Sequence, residues 1–271
     1  MNKKDKILHQ ISKLPYATIY NFQPWTYKNK EATLKSSLQW PYKIIRSLYK
    51  EKIIREIPIY PFRSIKRSSI PETFYTIHAN PVISNGVSYR GRMSVMLTGH
   101  ESGLMDILLA FLNLYSNSVI SINTTPSFEL KDGYLYKPDA HIRITTSNNN
   151  VYDFLIEFER SASNSAISSK KIAKIDKMKK FSEYGLSRFT KFLFVFTIET
   201  YDVFLRPIQY TDIEVAKQQS LIDKRLFTLL EGLHKTVNQH LFRFMSFHDF
   251  YRLNDSVWYD PAKKRVKLID E

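Results

Sequence analysis

Two stretches in which apolar and polar residues alternate, 138–145 and 151–160, are separated by the polar run Ser147, Asn148, Asn149, Asn150. A period of two marks a strand with one buried face, and asparagine tolerates the backbone of a tight turn, so the segment reads as a β-hairpin. A pairing centred on Asn148 and Asn149 sets Asp139 opposite Phe158 and Glu157 opposite Ala140. A slip of one residue sets Asp139 directly opposite Glu157. Either register brings the two carboxylates close. Glu159 shares the face of Glu157, because side chains alternate along a strand.

The hairpin sits in a mixed pattern. Upstream, Leu104, Ile107, Leu108, Phe111, Leu112 and Tyr115 recur at helical spacing, which gives a helix over 101–115. Glu101 falls on its apolar face and Asp106 opposite. A strand over 119–123 and a second short one around Phe128 precede the hairpin. A lysine-rich helix over 166–184 and a buried strand over 191–198 come after it, and residues 212–240 read as helix. Pro81, Asn85, Gly86, Gly91 and Gly99 make 81–99 a linker, so the domains expected are 1–80 and 100–271, the second with a helical C-terminal extension.

The first segment reads differently. Ile7, Ile11 and Leu14 place a helix over 5–14, which Pro15 interrupts. A second begins near Lys30, burying Ala32, Leu34 or Leu38. Pro41 opens a third. It turns Ile44, Ile45, Leu48 and Tyr49 inward and Lys43, Arg46, Ser47 and Lys50 outward. A strand over 53–59 pairs with one at 74–77, and Arg63, Lys66 and Arg67 lie near the tip between them. Three helices and a basic-tipped hairpin make a winged helix, whose third helix enters the major groove and whose tip meets phosphate or the minor groove.

Charge agrees with this. Residues 1–75 hold 15 Lys and Arg against 5 Asp and Glu, whereas the other residues hold 25 against 21. A concentrated basic segment attracts polyanions by releasing their counterions. A further 9 basic and 2 acidic residues between 160 and 191 extend the track. Cysteine is absent, which excludes disulfides and thiolate metal sites. No apolar run reaches membrane-spanning length, and residues 1–6 lack the apolar stretch of a signal peptide, so a cytoplasmic protein is expected. His78, His100, His141, His234, His240 and His248 show no metal-ligand spacing and read as structural.

The phrases "KPDAHIRI", "DFLIEFER" and "SSKKIAKIDKMKKF", in the order helix, strand, hairpin, helix, strand, resemble the core of the PD-(D/E)xK nucleases. That resemblance implies a divalent cation, Mg2+, held by Asp139 and Glu157, with Glu101 as a third acidic ligand. It also implies a lysine to stabilise developing charge. Glu159 stands where the motif has that lysine, and Lys171 and Lys174, on the following helix, are the substitutes. A winged helix followed by "PDA", an acidic strand end and a "K-I" helix is also similar to the replication-relaxation family of plasmid and mobile-element proteins. "YTIHANP" resembles the segment that closes the wing in that family.

The fold expected is therefore α+β overall, a winged helix followed by an α/β restriction-endonuclease-like domain with a mixed central sheet. The function implied is a double-stranded-DNA-binding accessory of plasmid replication or mobilisation, with relaxase or replication proteins as partners and no membrane. Two alternatives stand beside it. One is a Mg2+-dependent endonuclease using Asp139 and Glu157; the other is a transcriptional regulator whose second domain forms a homodimer.

Overall fold

Apolar spacing and strand alternation build two compact units, one comprising residues 1–109 with 202–211, the other residues 110–201 with 212–271. In this computed structural model the described residues are 2–15, 17, 19, 21–22, 34–57, 59–60, 74–77, 93–159, 165–176, 178, 180–197, 212–233, 238 and 240–269.

In the first unit, α1 spans Lys3–Ser12, and the Asn2 side chain caps it by accepting the Asp5 amide at 2.8 Å. Ile7, Ile11 and Leu14 are buried. Ile19, Asn21 and Phe22 are helical, where the sequence pattern gives no element. The next helix, α2, runs unbroken over Leu34–Lys50 with Pro41 inside it, so Pro41 does not open a separate helix. Proline in a helix interior costs about 3 kcal/mol, and burial of Ile44, Ile45 and Leu48 on this strongly two-sided helix outweighs it. Tyr49, expected inward, is 46% exposed. The strands β1 (Ile54–Ile57) and β3 (Phe74–Ile77) pair antiparallel, while β2 (Ile59–Tyr60) pairs parallel with β4 (Met93–Ser94). The tip with Arg63, Lys66 and Arg67 lies outside the described residues.

Helix α3, Val95–Leu114, begins six residues before Glu101 and contains Gly99. It has no polar face over residues 104–111: Leu104, Met105, Ile107, Leu108, Leu109, Ala110 and Phe111 are all buried. Asp106, expected on the exposed side, is buried with them and accepts from the Asn21 amide group at 2.7 Å. A hydrogen-bonded partner is what lets a carboxylate occupy such a place.

The second unit is built on a mixed seven-stranded sheet in the order β13-β12-β11-β10-β9-β8-β5. Its strands are β5 (Val119–Asn123), β8 (Ala140–Thr145), β9 (Val151–Glu159), β10 (Phe189–Phe196), β11 (Phe242–Ser246), β12 (Trp258–Tyr259) and β13 (Arg265–Val266). A separate pair, β6 (Phe128–Glu129) and β7 (Leu135–Tyr136), lies between β5 and β8 in sequence. The three central strands β9, β10 and β11 run parallel, β8 and β12 beside them run the opposite way, and the edge strands β5 and β13 pair antiparallel to β8 and β12. Asn149 takes a left-handed backbone at φ 58° to close the β8–β9 turn.

Helix α4 spans Ser165–Ile175 and stops nine residues before the expected end at 184. Past it, the Asp176 side chain turns to accept the Asn238 amide and Met178 turns inward. A 3-10 turn at Phe181–Tyr184 then closes on Gly185, whose φ of 69° suits a residue without Cβ. Helix α5 covers Asp212–Leu233. The chain then returns to the sheet: β11 adds a parallel strand beside β10, extended by β12 and β13. All five residues of β11 are buried, so the strand shows no alternation. On one face, Leu155, Phe192, Phe194, Phe196, Phe242 and Phe244 pack with Ile172 and Ile175 of α4 and Ile222, Leu226, Leu229 and Leu230 of α5. Each such side chain contributes about 1.5–3 kcal/mol.

One buried carboxylate ties β8, β9 and the approach to β10 together. Asp153 bonds His141 Nε2 at 2.7 Å, accepts from Arg143 Nε at 2.8 Å and Nη2 at 3.1 Å, and accepts from the Ser187 amide at 2.6 Å. The Arg143 guanidinium also donates to the Gly185 carbonyl. Burial works to raise the Asp153 pKa, but the bonds from His141, Arg143 and Ser187 hold it far below the usual carboxylate range. The stability this contributes is present above about pH 4 and is lost as pH falls toward the folded-state value. Asp153→Asn should destabilise the protein by roughly 2–4 kcal/mol at pH 7, because it leaves the Arg143 guanidinium without its counter-charge and breaks a hydrogen-bonded cluster. A lower urea midpoint with an unchanged m-value is the expected result, and parent-like stability would refute the clamp.

Candidate functional site

The hairpin register decides which carboxylates meet. Ala140 pairs with Ile156 and Thr145 with Val151, which is the slipped one of the two registers compatible with the sequence. One residue before the ladder, the Asp139 amide donates to the Ile156 carbonyl at 2.9 Å, and Asp139 Oδ2 accepts the Phe158 amide at 2.7 Å. Asp139 thus stands across from Glu157. Arg143 turns away from these carboxyl groups to Asp153.

Glu157 is 3% exposed. Its sheet neighbour Phe194 faces the α4–α5 core, and so does Phe244 beyond it. From α4, Lys171 Nζ reaches Glu157 Oε2 at 2.6 Å and stands 3.7 Å from Glu159 Oε1. Burial pushes the Glu157 carboxyl up to about 8; the Lys171 charge opposes this and the charges of Asp139 and Glu159 add to it. Burial would lower the Lys171 pKa, but Glu157, Glu159 and Asp139 outweigh that and leave it raised. Three carboxyl groups therefore gather around one ammonium. Glu157 Oε1 and the hydroxyl of Tyr136 are buried with no hydrogen bond of normal geometry among the described residues, although the Glu157 carboxyl lies near enough to act on that hydroxyl. Burial, followed by the charges of Glu157 and Asp139, pushes the Tyr136 hydroxyl well above its usual pKa.

Lys174 does not join this group; its Nζ lies 3.8 Å over the Tyr134 ring. Glu101 lies in α3, and its side chain is outside the described residues. Among the described residues, no three His, Asp or Glu side chains form a group that could hold a metal ion. What the centre offers a cation is a donor set of hard oxygens, with Glu157 Oε1 unpartnered, and Mg2+ binds through one or two carboxylates and its own waters. The set fits that ion. Sequence reasoning misses Tyr136, which no local pattern marks, and Arg225. Arg225 lies three residues after Ile222 and four before Leu229, on the apolar stripe of α5, which is a legible anomaly.

The surface of α2 is the other candidate. Lys43, Arg46 and Lys50 are exposed, and at 100° per residue they form one row with Gln39. Tyr42 and Tyr49 flank that row on one side and Trp40 on the other, all exposed. Lys3 Nζ stands 4.9 Å over the Trp40 ring. Ser47 is half-buried and donates to Glu51 at 2.6 Å, and Lys4 pairs with the same carboxylate.

Because Glu157 stays protonated to about pH 8 when folded but ionises near 4.5 when unfolded, the folded state binds the extra proton between those values. Stability falls as pH rises through that window. Glu157→Gln removes the titration and should gain on the parent from pH 5 to pH 8, by about 1.4 kcal/mol for each pH unit and a few kcal/mol at most. A stability difference independent of pH in urea titrations would contradict the buried carboxyl.

Compared with protein-family models, curated proteins and solved structures, the chain finds no match in any of the three.

Proposed function

We propose that this chain is a duplex-DNA-binding accessory protein of plasmid or mobile-element replication or mobilisation, with a winged helix in its first unit. The observation that carries the DNA reading is the exposed row Lys43, Arg46 and Lys50 on α2, in the segment holding most of the excess positive charge. A helix presenting such a row to the major groove reads base edges, and basic residues near the hairpin tip meet phosphate without regard to sequence. Tyr42 and Tyr49 add apolar contact for thymine methyl groups. The biological setting rests on the resemblance to the replication-relaxation family.

A second reading is favoured by the contact of Lys171 with Glu157. The second unit is then a restriction-endonuclease-like domain with metal-dependent endonuclease chemistry. Asp139 and Glu157 would hold a Mg2+ ion, which supplies Lewis-acid activation of water and neutralisation of phosphate charge. Lys171 takes over the role of the motif lysine whose place Glu159 occupies. Its ammonium is kept charged by the surrounding carboxylates and is placed to offset charge developing on a phosphodiester oxygen.

Neutralising the α2 row tests the first reading. Lys43→Gln with Arg46→Gln and Lys50→Gln should weaken binding to a preferred duplex at least tenfold and narrow its margin over unrelated duplexes. Unchanged affinity at moderate salt would remove α2 from the interface. Incubation of supercoiled plasmid with Mn2+ tests the second. Nicking by the parent, lost in both Asp139→Asn and Lys171→Ala, establishes the nuclease; no nicking by the parent leaves a binding protein.

A further inference from the structure

Arg225 enters the α4–α5 side of the sheet from α5, in the middle of a helix face otherwise given to Ile222, Leu226 and Leu229. Its guanidinium lies 5.4 Å over the Phe196 ring at the end of β10, and one nitrogen donates to the Thr197 carbonyl at 3.3 Å. A guanidinium has five N–H donors in a fixed fork. Among the described residues the other four have no partner, and no carboxylate comes within ion-pair distance. Glu159 is the carboxylate near enough to act on it, and burial still holds its pKa below the usual value. No nitrogen of Arg225 is among the buried atoms left without a partner, so its free donors open to solvent, where an anion can meet them.

The neighbourhood says which anion. Phe196 is the register partner of Glu159, so Arg225 stands at the carboxyl edge of parallel β9 and β10, the edge where open α/β sheets bind ligands. Lys171 approaches the same Glu159 from α4. Two cations from two helices thus flank the carboxylates of one strand end. Planar, two-toothed donation to tetrahedral oxygens is what arginine provides and lysine does not.

We infer that Arg225, together with Lys171, forms a phosphate-binding bracket at the carboxyl edge of β9 and β10, and that its ligand is a phosphodiester of a nucleic-acid backbone. The inference rests on the DNA reading for the identity of the ligand, but the anion site itself does not. Arg225 holds a backbone phosphate beside Asp139 and Glu157 and fixes the strand there, while Lys171 faces the carboxylates. The contact carries no sequence information, so it adds affinity equally to all duplexes.

The test uses the full chain. Arg225→Gln should lower duplex affinity about tenfold and reduce the slope of log affinity against log salt by about 0.9, one phosphate, while Arg225→Lys keeps the slope and recovers only part of the affinity. Unchanged slope and affinity in a folded Arg225→Gln protein overturn the inference. Inorganic pyrophosphate separates it from the DNA reading: it should raise the melting temperature of the parent and shift the Arg225 Nε–H resonance, and it should not stabilise Arg225→Gln. A parent that binds pyrophosphate through Arg225 but no duplex keeps the anion site and sinks the DNA reading. A parent whose Arg225 resonance does not respond to pyrophosphate overturns the bracket, even if Arg225→Gln fails to fold.

Discussion

Between β8 and β9 the ladder sets Ala140 against Ile156, and just outside it the Asp139 carboxylate accepts the Phe158 amide. That single pairing fixes both what is buried and what can react. A slip of one residue would carry Leu155, Glu157 and Glu159 to the opposite face of the sheet and leave Lys171 with nothing to meet. The Asn149 turn, the Asp139 side chain and the Asp153 clamp each bind the hairpin from a different place, and all require the same register. Parallel β10 and β11 then extend the sheet so that Phe194 and Phe244 wall the Glu157 carboxyl in.

The two buried acids on β9 show how environment separates chemical roles. Asp153 has four bonds from three donor groups, is held ionised, and serves as a structural fastening. Glu157, four residues on, has one cation, two other carboxylates acting on it and a bare oxygen; burial dominates and the group keeps a proton near neutrality. Groups with pKa values pushed so far from their ordinary range concentrate at sites that bind or react.

Much of this is legible in the sequence, and the failures have physical causes. The hairpin and the closeness of Asp139 to Glu157 follow from alternation, whereas a lysine arriving from the next helix, Lys171 or Lys174, is what the nuclease resemblance implies. Lys174, three residues on, is indistinguishable from Lys171 by spacing and finds the Tyr134 ring instead. Asp106 is misplaced by its pattern because an all-apolar helix has no outside, and Tyr49 because aromatic character does not guarantee burial beside three better-placed aliphatic residues. Strand β11 is invisible to periodicity because a strand buried on both faces does not alternate. The fastening of Asp153 by His141 and Arg143 needs the register, which the turn residues alone leave open by one position.

That Asp139 and Glu157 form a cation-binding centre served by Lys171 is tested most directly by paramagnetic broadening with Mn2+ in the amide spectrum of the isotopically labelled full chain. Substoichiometric Mn2+ should broaden the resonances of Asp139, Ala140, Ile156, Glu157 and Phe158 first, together with Lys171, while Arg143, Asp153 and Ser187 stay sharp. Glu157→Gln should abolish that pattern. Broadening centred on the Asp153 clamp, or spread over exposed acidic side chains and indifferent to Glu157→Gln, would contradict it.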